Sequence, residues 1–251
     1  MTRGAYRNDG SGAPLVLIHG VGGDSGNWDD MVPRLSAKFR VIRVDLRGHG
    51  RSAPLRAPCS VEHLARDVVE VIDALGVRAC RLAGFSLGGQ VAQSIALDYP
   101  DRVEKLVLIS TVAGRTESEQ AGVASRVQLL KDKGTAAIAE SNRERWFTEG
   151  FRKRHPEKVE ARVQQLLQTD AQSYLHAFTV FATADLGARL GDILAPTLII
   201  TGEEDAAATP RMAQLMRERI TNSTLHVLPG LRHSLLIERP ELVTDLMLDF
   251  L

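Results

Sequence analysis

Gly84-Phe85-Ser86-Leu87-Gly88 sets a serine between two glycines, where an apolar run ends and a helical pattern begins. In the G-x-S-x-G pattern, a sharp strand-to-helix turn holds the serine hydroxyl out from the top of a sheet. The same five residues also fit an ordinary βα turn, with glycines for tightness and the serine as a helix cap. A serine hydroxyl is a poor nucleophile near neutral pH and needs an adjacent base, itself oriented by a third group. Both partner types stand further along the chain. Thr201-Gly202-Glu203-Glu204-Asp205 follows the apolar run 197–200, and Pro229-Gly230-Leu231-Arg232-His233 follows the run 225–228. Asp205 is the expected acid, being deepest in its loop and just ahead of Ala206-Ala207-Ala208-Thr209-Pro210, while Glu203 and Glu204 fit solvated loop charges. Ser86, Asp205 and His233 come in the chain order of an acyl-transfer site built at the carboxyl ends of parallel strands.

Acyl transfer develops negative charge on a carbonyl oxygen, which two backbone N–H groups can stabilise. One is expected from Leu87, the residue after the serine and the start of its helix. The other is expected from Val21, in the glycine-rich stretch His19-Gly20-Val21-Gly22-Gly23. That assignment leaves His19 a loop residue rather than the base. Asp45 precedes Ser86 and reads as a brace for the turn Leu46-Arg47-Gly48-His49-Gly50-Arg51-Ser52. The glycines carry neither a G-x-G-x-x-G nor a G-K-[ST] phosphate pattern. The seven histidines are scattered, with no H-E-x-x-H and no paired cysteine spacing, so no metal is expected.

These residues need a scaffold. Short apolar runs at 15–18, 40–44, 79–85 and 106–109 alternate with helical spacing, as at Val61, Leu64, Val68, Ile72 and Leu75, which Ser60 opens and Gly76 closes. A helix is also expected over 28–37, and another from Ser86 to about Tyr99, where Pro100 forbids continuation. The alternation implies an α/β fold, a mostly parallel sheet with helices on both faces. It lapses between residues 114 and 185, where helical patterns dominate and one stripe is clear: Val159, Val163, Leu166 and Leu167 after Pro156. It resumes with a strand at 197–200, a helix at 210–220, a strand at 225–228 and a final helix. We therefore expect a core of residues 1–113 and 186–251 with a helical lid at 114–185. A separately folded domain of about 70 residues with one amphipathic helix would bury too little to stand alone.

Lys plus Arg and Asp plus Glu both number 31, which disfavours nucleic acid as a partner. Cys59 and Cys80 are too few for a disulfide framework and read as reduced thiols. Met1-Thr2-Arg3-Gly4-Ala5-Tyr6 has no apolar leader pattern, and no apolar run approaches membrane-spanning length. A cytoplasmic globular protein is expected, with no membrane partner; a homo-oligomer stays open.

With those residues in place, the chain resembles the α/β-hydrolase superfamily along its whole length. The carriers are His19-Gly20, Asp45-x-Arg47-Gly48-His49-Gly50-x-Ser52, Gly84-Phe85-Ser86-Leu87-Gly88-Gly89, Gly202-x-x-Asp205 and His233. A narrower likeness is to 3-oxoadipate enol-lactonases. It rests on Arg145-Trp146-Phe147-Thr148-x-x-Phe151, on Thr169-Asp170 followed by Tyr174, and on Asp185 ahead of Leu190-x-x-Ile193-x-x-Pro196. The resemblance implies hydrolysis of a small ester or lactone through an acyl-serine, without a cofactor. Trp146, Phe178 and Phe181 are the pocket candidates, and Trp146 fits an anchor between lid helices equally well. Two departures stand out. Ala182 and Thr183 occupy the place of a basic residue and an acid, which points to a more apolar ligand. Only Gly4 to Asn8 can form a strand before the run 15–18, so the fold's usual first strand is expected to be missing or very short. A carbon–carbon hydrolase of vinylogous diketones could share the triad, and a binding-only homologue is the reading from outside enzymology. A dehalogenase would place a carboxylate where Ser86 stands.

Overall fold

The computed structural model describes residues 4–251; Met1, Thr2 and Arg3 of the segment read above for a leader lie outside that range. Its sheet comprises β1 (Ala5–Asp9), β2 (Ala13–Ile18), β3 (Phe39–Asp45), β4 (Cys80–Phe85), β5 (Val103–Ile109), β6 (Thr197–Gly202) and β7 (Ser223–Leu228), in the spatial order β1-β3-β2-β4-β5-β6-β7. All neighbours run parallel except β1, which pairs antiparallel with β3 from Ala5↔Asp45 to Asp9↔Val41. The short strand expected over Gly4–Asn8 is thus β1, an edge strand with polar, exposed residues.

The central strands are covered on both faces, which is why they read as unbroken apolar runs rather than alternating ones. Val16 and Ile18 of β2 point into a cluster with Leu64 and Val68 of α2 (Val61–Ala74) and Val91 and Ile95 of α3 (Leu87–Asp98). Leu15 and Leu17 point the opposite way, toward Trp28, Val243 and Met247. The helix expected over 28–37 is instead a 3₁₀ turn, Ser25–Trp28, and the short α1 (Val32–Leu35). Asp24 caps the first by accepting from the Gly26 N–H, and Pro33 opens the second, so the two do not fuse.

Between β5 and β6 lie five helices: α4 (Glu117–Lys133), α5 (Ala136–Trp146), α6 (Glu149–Arg154), α7 (Pro156–Gln168) and α8 (Ala171–Thr183). Their starts are chemically marked. Thr116 and Glu119 form a reciprocal capping box, Thr148 accepts from the Phe151 N–H, and Asp170 accepts from the Ser173 N–H. α9 (Pro210–Arg219) joins β6 to β7. The expected final helix is split into α10 (Leu235–Glu238) and α11 (Pro240–Phe250), because Pro240 forces Arg239 out of helical geometry, to φ −145°. Among the described residues, no helix is long and apolar enough to cross a membrane.

Candidate active site

Ser86 sits on the step between β4 and α3 with φ 54° and ψ −118°, in the left-handed region that L-residues avoid. Its side chain makes no capping bond to the helix it precedes, so the serine is not there as a cap. Its own N–H donates to the Ile109 carbonyl, and its carbonyl accepts from Thr111 Oγ1 at 2.7 Å, which fixes the strained turn from both ends. The turn is tight enough that a Cβ on Gly88 would fall 2.2 Å from the Ile18 carbonyl oxygen. Gly20 is constrained likewise: a Cβ there would reach 3.0 Å from the Ser86 Cβ, so a side chain would wedge the loop off the serine.

The three residues expected to work together are brought together. Ser86 Oγ is 3.2 Å from His233 Nε2, and His233 Nδ1 is 2.8 Å from Asp205 Oδ2. All three are buried. With Nδ1–H donating to Asp205, Nε2 carries the lone pair that faces the serine hydroxyl. Asp205 is fixed in turn, its Oδ1 accepting from the Ala207 and Ala208 N–H groups at 2.8 and 2.9 Å. Glu203 and Glu204 point elsewhere, to the Gly230 N–H and to Arg232. The Phe85 ring packs against the His233 ring, centroids 5.1 Å apart.

His19 is excluded as a base by its surroundings. It is fully buried, its Nδ1 lies 2.7 Å from the Gly20 carbonyl and its Nε2 accepts from the Leu46 N–H, and burial holds its pKa below the usual value. Asp45 is a brace, accepting from the Ser25 and Arg51 N–H groups. The N–H groups of Val21 and Leu87 have no protein acceptor among the described residues, whereas the neighbouring Gly22 N–H donates to His49 Nε2 and the Gly23 N–H to the Gly20 carbonyl. The loop is held from its other side by Arg162 of α7, whose Nη1 and Nη2 donate to the Gly22 and Val21 carbonyls at 2.7 and 3.0 Å. The guanidinium lies over the Trp146 ring, 4.5 Å from its centroid, and burial pushes its pKa down to about 10.

A cavity of about 260 Å³ opens onto Ser86, His233 and Val21. Trp146, Phe178 and Phe181 line it. Sequence reasoning missed Arg162, Thr111 and the cavity-lining Arg115 and Arg126, none of which belongs to a short motif with a chemical signature of its own, and it quoted Arg145 only as part of a resemblance, without a role. The inserted helices are tied to both loops that carry the partners of Ser86. The Ser234 N–H donates to the Trp146 carbonyl, Arg145 donates to the Ala206 carbonyl, and Thr148 donates through N–H and hydroxyl to Glu238. Among the described residues, no group of three or more His, Cys, Asp or Glu side chains is placed to hold a metal ion.

This sheet order, with the serine elbow at one strand end and the acid and histidine at two others, is that of a hydrolase, and the chain belongs to the alpha/beta hydrolase fold family, which matches residues 13–240. Within it, the chain is 32% identical to 3-oxoadipate enol-lactonase 2 of Acinetobacter baylyi, over 90% of this chain and 84% of the relative. It is 31% identical to (E)-2-((N-methylformamido)methylene)succinate hydrolase of the same organism, over 96% of this chain and 91% of the relative. The crystal structure of the enol-lactonase from Burkholderia xenovorans LB400 superposes with a TM-score of 0.90 at 29% identity, covering 98% of this chain and 95% of that one.

Proposed function

We propose that this protein is a serine hydrolase that opens a small carboxylic ester or lactone through an acyl-serine intermediate. The observation that carries the reading is the strained Ser86, which offers its hydroxyl to His233 instead of to the helix behind it. Ser86 Oγ attacks the carbonyl carbon while its proton passes to His233 Nε2. Asp205 holds the imidazole in that tautomer and stabilises the imidazolium as it forms. The Val21 and Leu87 N–H groups receive the oxyanion. His233 then returns the proton to the departing oxygen, which in a lactone stays attached to the acyl chain. Water attacks the acyl-serine, giving its proton to the same histidine, and Ser86 is released with the carboxylate product. In this reading the helices α4–α8 form a lid that closes the cavity from solvent.

Enol-lactone hydrolysis is the first activity to test, given the likeness to enol-lactonases along nearly the whole chain. Steady-state hydrolysis of 3-oxoadipate enol-lactone, with Ser86→Ala as the blank, is expected to show turnover that vanishes in the variant. Folded protein inert toward that lactone would overturn the lactonase assignment. Inertness toward every carboxylic ester and lactone tried would overturn the hydrolase reading itself.

A further inference from the structure

Two cations face the cavity beside Ser86 without an anion to answer them. Arg126 of α4 and Arg145 of α5 both line it. Arg126 donates to Asn142 Oδ1 and Ser141 Oγ, and Arg145 to the Ala206 carbonyl; neither stands within ion-pair distance of a carboxylate among the described residues. Each is half-buried, and burial together with the Arg145 charge drives the Arg126 pKa down. Holding two like charges together in a partly desolvated wall is costly unless a ligand supplies the opposite charge.

The acid in the same wall does not supply it. Glu119 is committed to Arg211, to the Thr116 N–H and to Thr209. Arg115, the third cavity arginine, is spent on the carbonyls of Phe181, Ala182 and Ala184. Glu144 and Glu204 share a shallow groove with Arg145 on its outer side, but each pairs with another arginine. The rest of the cavity wall is mainly apolar, with Trp146, Phe178 and Phe181, beside the polar Asn142, Tyr174 and Thr209. A nucleophile, an apolar wall and an unanswered pair of guanidiniums describe a ligand with a carbonyl, a short hydrocarbon stretch and a carboxylate. The fork of each guanidinium suits a carboxylate in particular. Ala182 is no obstacle: its side chain is buried and does not line the cavity, so the positive charge enters from α4 and α5 instead.

We propose that Arg126 and Arg145 form an anion subsite that binds a carboxylate carried by the substrate, remote from the carbonyl that Ser86 attacks. The inference rests on the hydrolase reading above and narrows its substrate class to acidic esters and lactones.

The test compares mono-para-nitrophenyl adipate with its methyl ester, two activated esters of the same chain that differ in one charge. Wild type is expected to prefer the acid in kcat/KM by about tenfold to a hundredfold, and Arg126→Gln or Arg145→Gln to cut that preference by about tenfold each. The double Gln variant should lose it, and the double Lys variant should recover part. The wild-type preference should shrink as salt is added. A wild type that does not prefer the acid, or a folded double Gln variant that keeps the preference, overturns the subsite. If the Gln variants do not fold, the Lys variants and the salt series decide. Calorimetric titration of adipate into Ser86→Ala separates this inference from the one beneath it. Arginine-dependent adipate binding by a protein that cleaves neither ester would keep the subsite and sink the hydrolase. Cleavage of both esters without adipate binding would do the reverse.

Discussion

Arg162→Met tests whether the oxyanion loop is aimed by a side chain that never touches the reacting atoms. In the wild type two charge-assisted bonds hold the Val21 and Gly22 carbonyls, each worth about 1.5–3 kcal/mol. The guanidinium also lies on the Trp146 ring, which adds about 1 kcal/mol. Against these stands its desolvation: holding the pKa down to about 10 penalises the charged form by about 3 kcal/mol. The terms partly offset, so Met at this position should lower stability by about 1–4 kcal/mol, or roughly 3–15 °C in Tm. The effect on rate should be larger. Without Arg162 the loop keeps the Gly22 and Gly23 N–H bonds but loses the anchor on its carbonyl side, and the Val21 N–H is no longer aimed. Loss of one oxyanion donor costs about 3–4 kcal/mol, a fall in kcat of about 10²–10³ with KM little changed. Lys, a single point charge, cannot bridge both carbonyls and should restore only a small part of the rate. Steady-state kinetics and thermal melts on the three proteins give both readouts. A variant with kcat within threefold of wild type and a Tm lowered by more than about 15 °C would refute the reasoning, because Arg162 would then be a strut that does not aim Val21.

Asp205→Asn should keep the two bonds from Ala207 and Ala208 while presenting an amide donor to His233 Nδ1, forcing the wrong tautomer; kcat is expected to drop by about 10³–10⁴ with Tm nearly unchanged. Ser86→Gly should be inactive yet more stable than wild type by about 1 kcal/mol, since glycine accepts the φ of 54° without strain; denaturant unfolding reads this directly. His49 is buried neutral, its pKa pushed down to about 3 by burial with the His19 charge adding to it, and His19 is lowered as well. His49 takes a proton in the unfolded chain near pH 6.5 but in the native one only near 3, so stability should fall as pH drops from about 6.5 toward 3, by up to about 1.4 kcal/mol per pH unit, and His19 adds a loss in the same direction below about pH 6.5. His49→Gln can keep the acceptor for the Gly22 N–H, and melts across that pH range should show a shallower slope.

The sheet was legible because its strands are buried on both faces, leaving apolar runs such as Leu15 to Ile18 bounded by glycine and polar loops. Ser86 was legible because it is the polar residue just past such a run, and Asp205 and His233 because each lies in the polar loop that follows one, although Glu203 and Glu204 competed with Asp205. The inserted helices were less so: α4 buries little beyond Val127 and Leu130, so no stripe marks it, and the capping box at Thr116 and Glu119 was its one strong signal. Arg162 was invisible for a different reason. It sits on the one clearly amphipathic helix of the insertion, where an arginine reads as part of the solvated face, and only tertiary structure turns it inward beneath Trp146. Ala182 points to a more apolar ligand only if the charge must come from that position; under the proposed subsite Arg126 and Arg145 would supply it from α4 and α5.

The division of labour between sheet and insertion has an evolutionary consequence. Ser86, Asp205 and His233 all stand on the sheet's own loops, while Arg126, Arg145 and Trp146 all stand on the helices between β5 and β6. Exchanging that insertion among related chains would transplant a ligand preference onto an unchanged chemical engine. The exchange is not free, because Arg162 travels with the insertion yet grips the Val21–Gly22 loop of the core. A chimera that brings in a new insertion without an equivalent cation would inherit the new preference and lose the rate. On this reading a transplanted insertion works only if it also brings a cation to the place of Arg162.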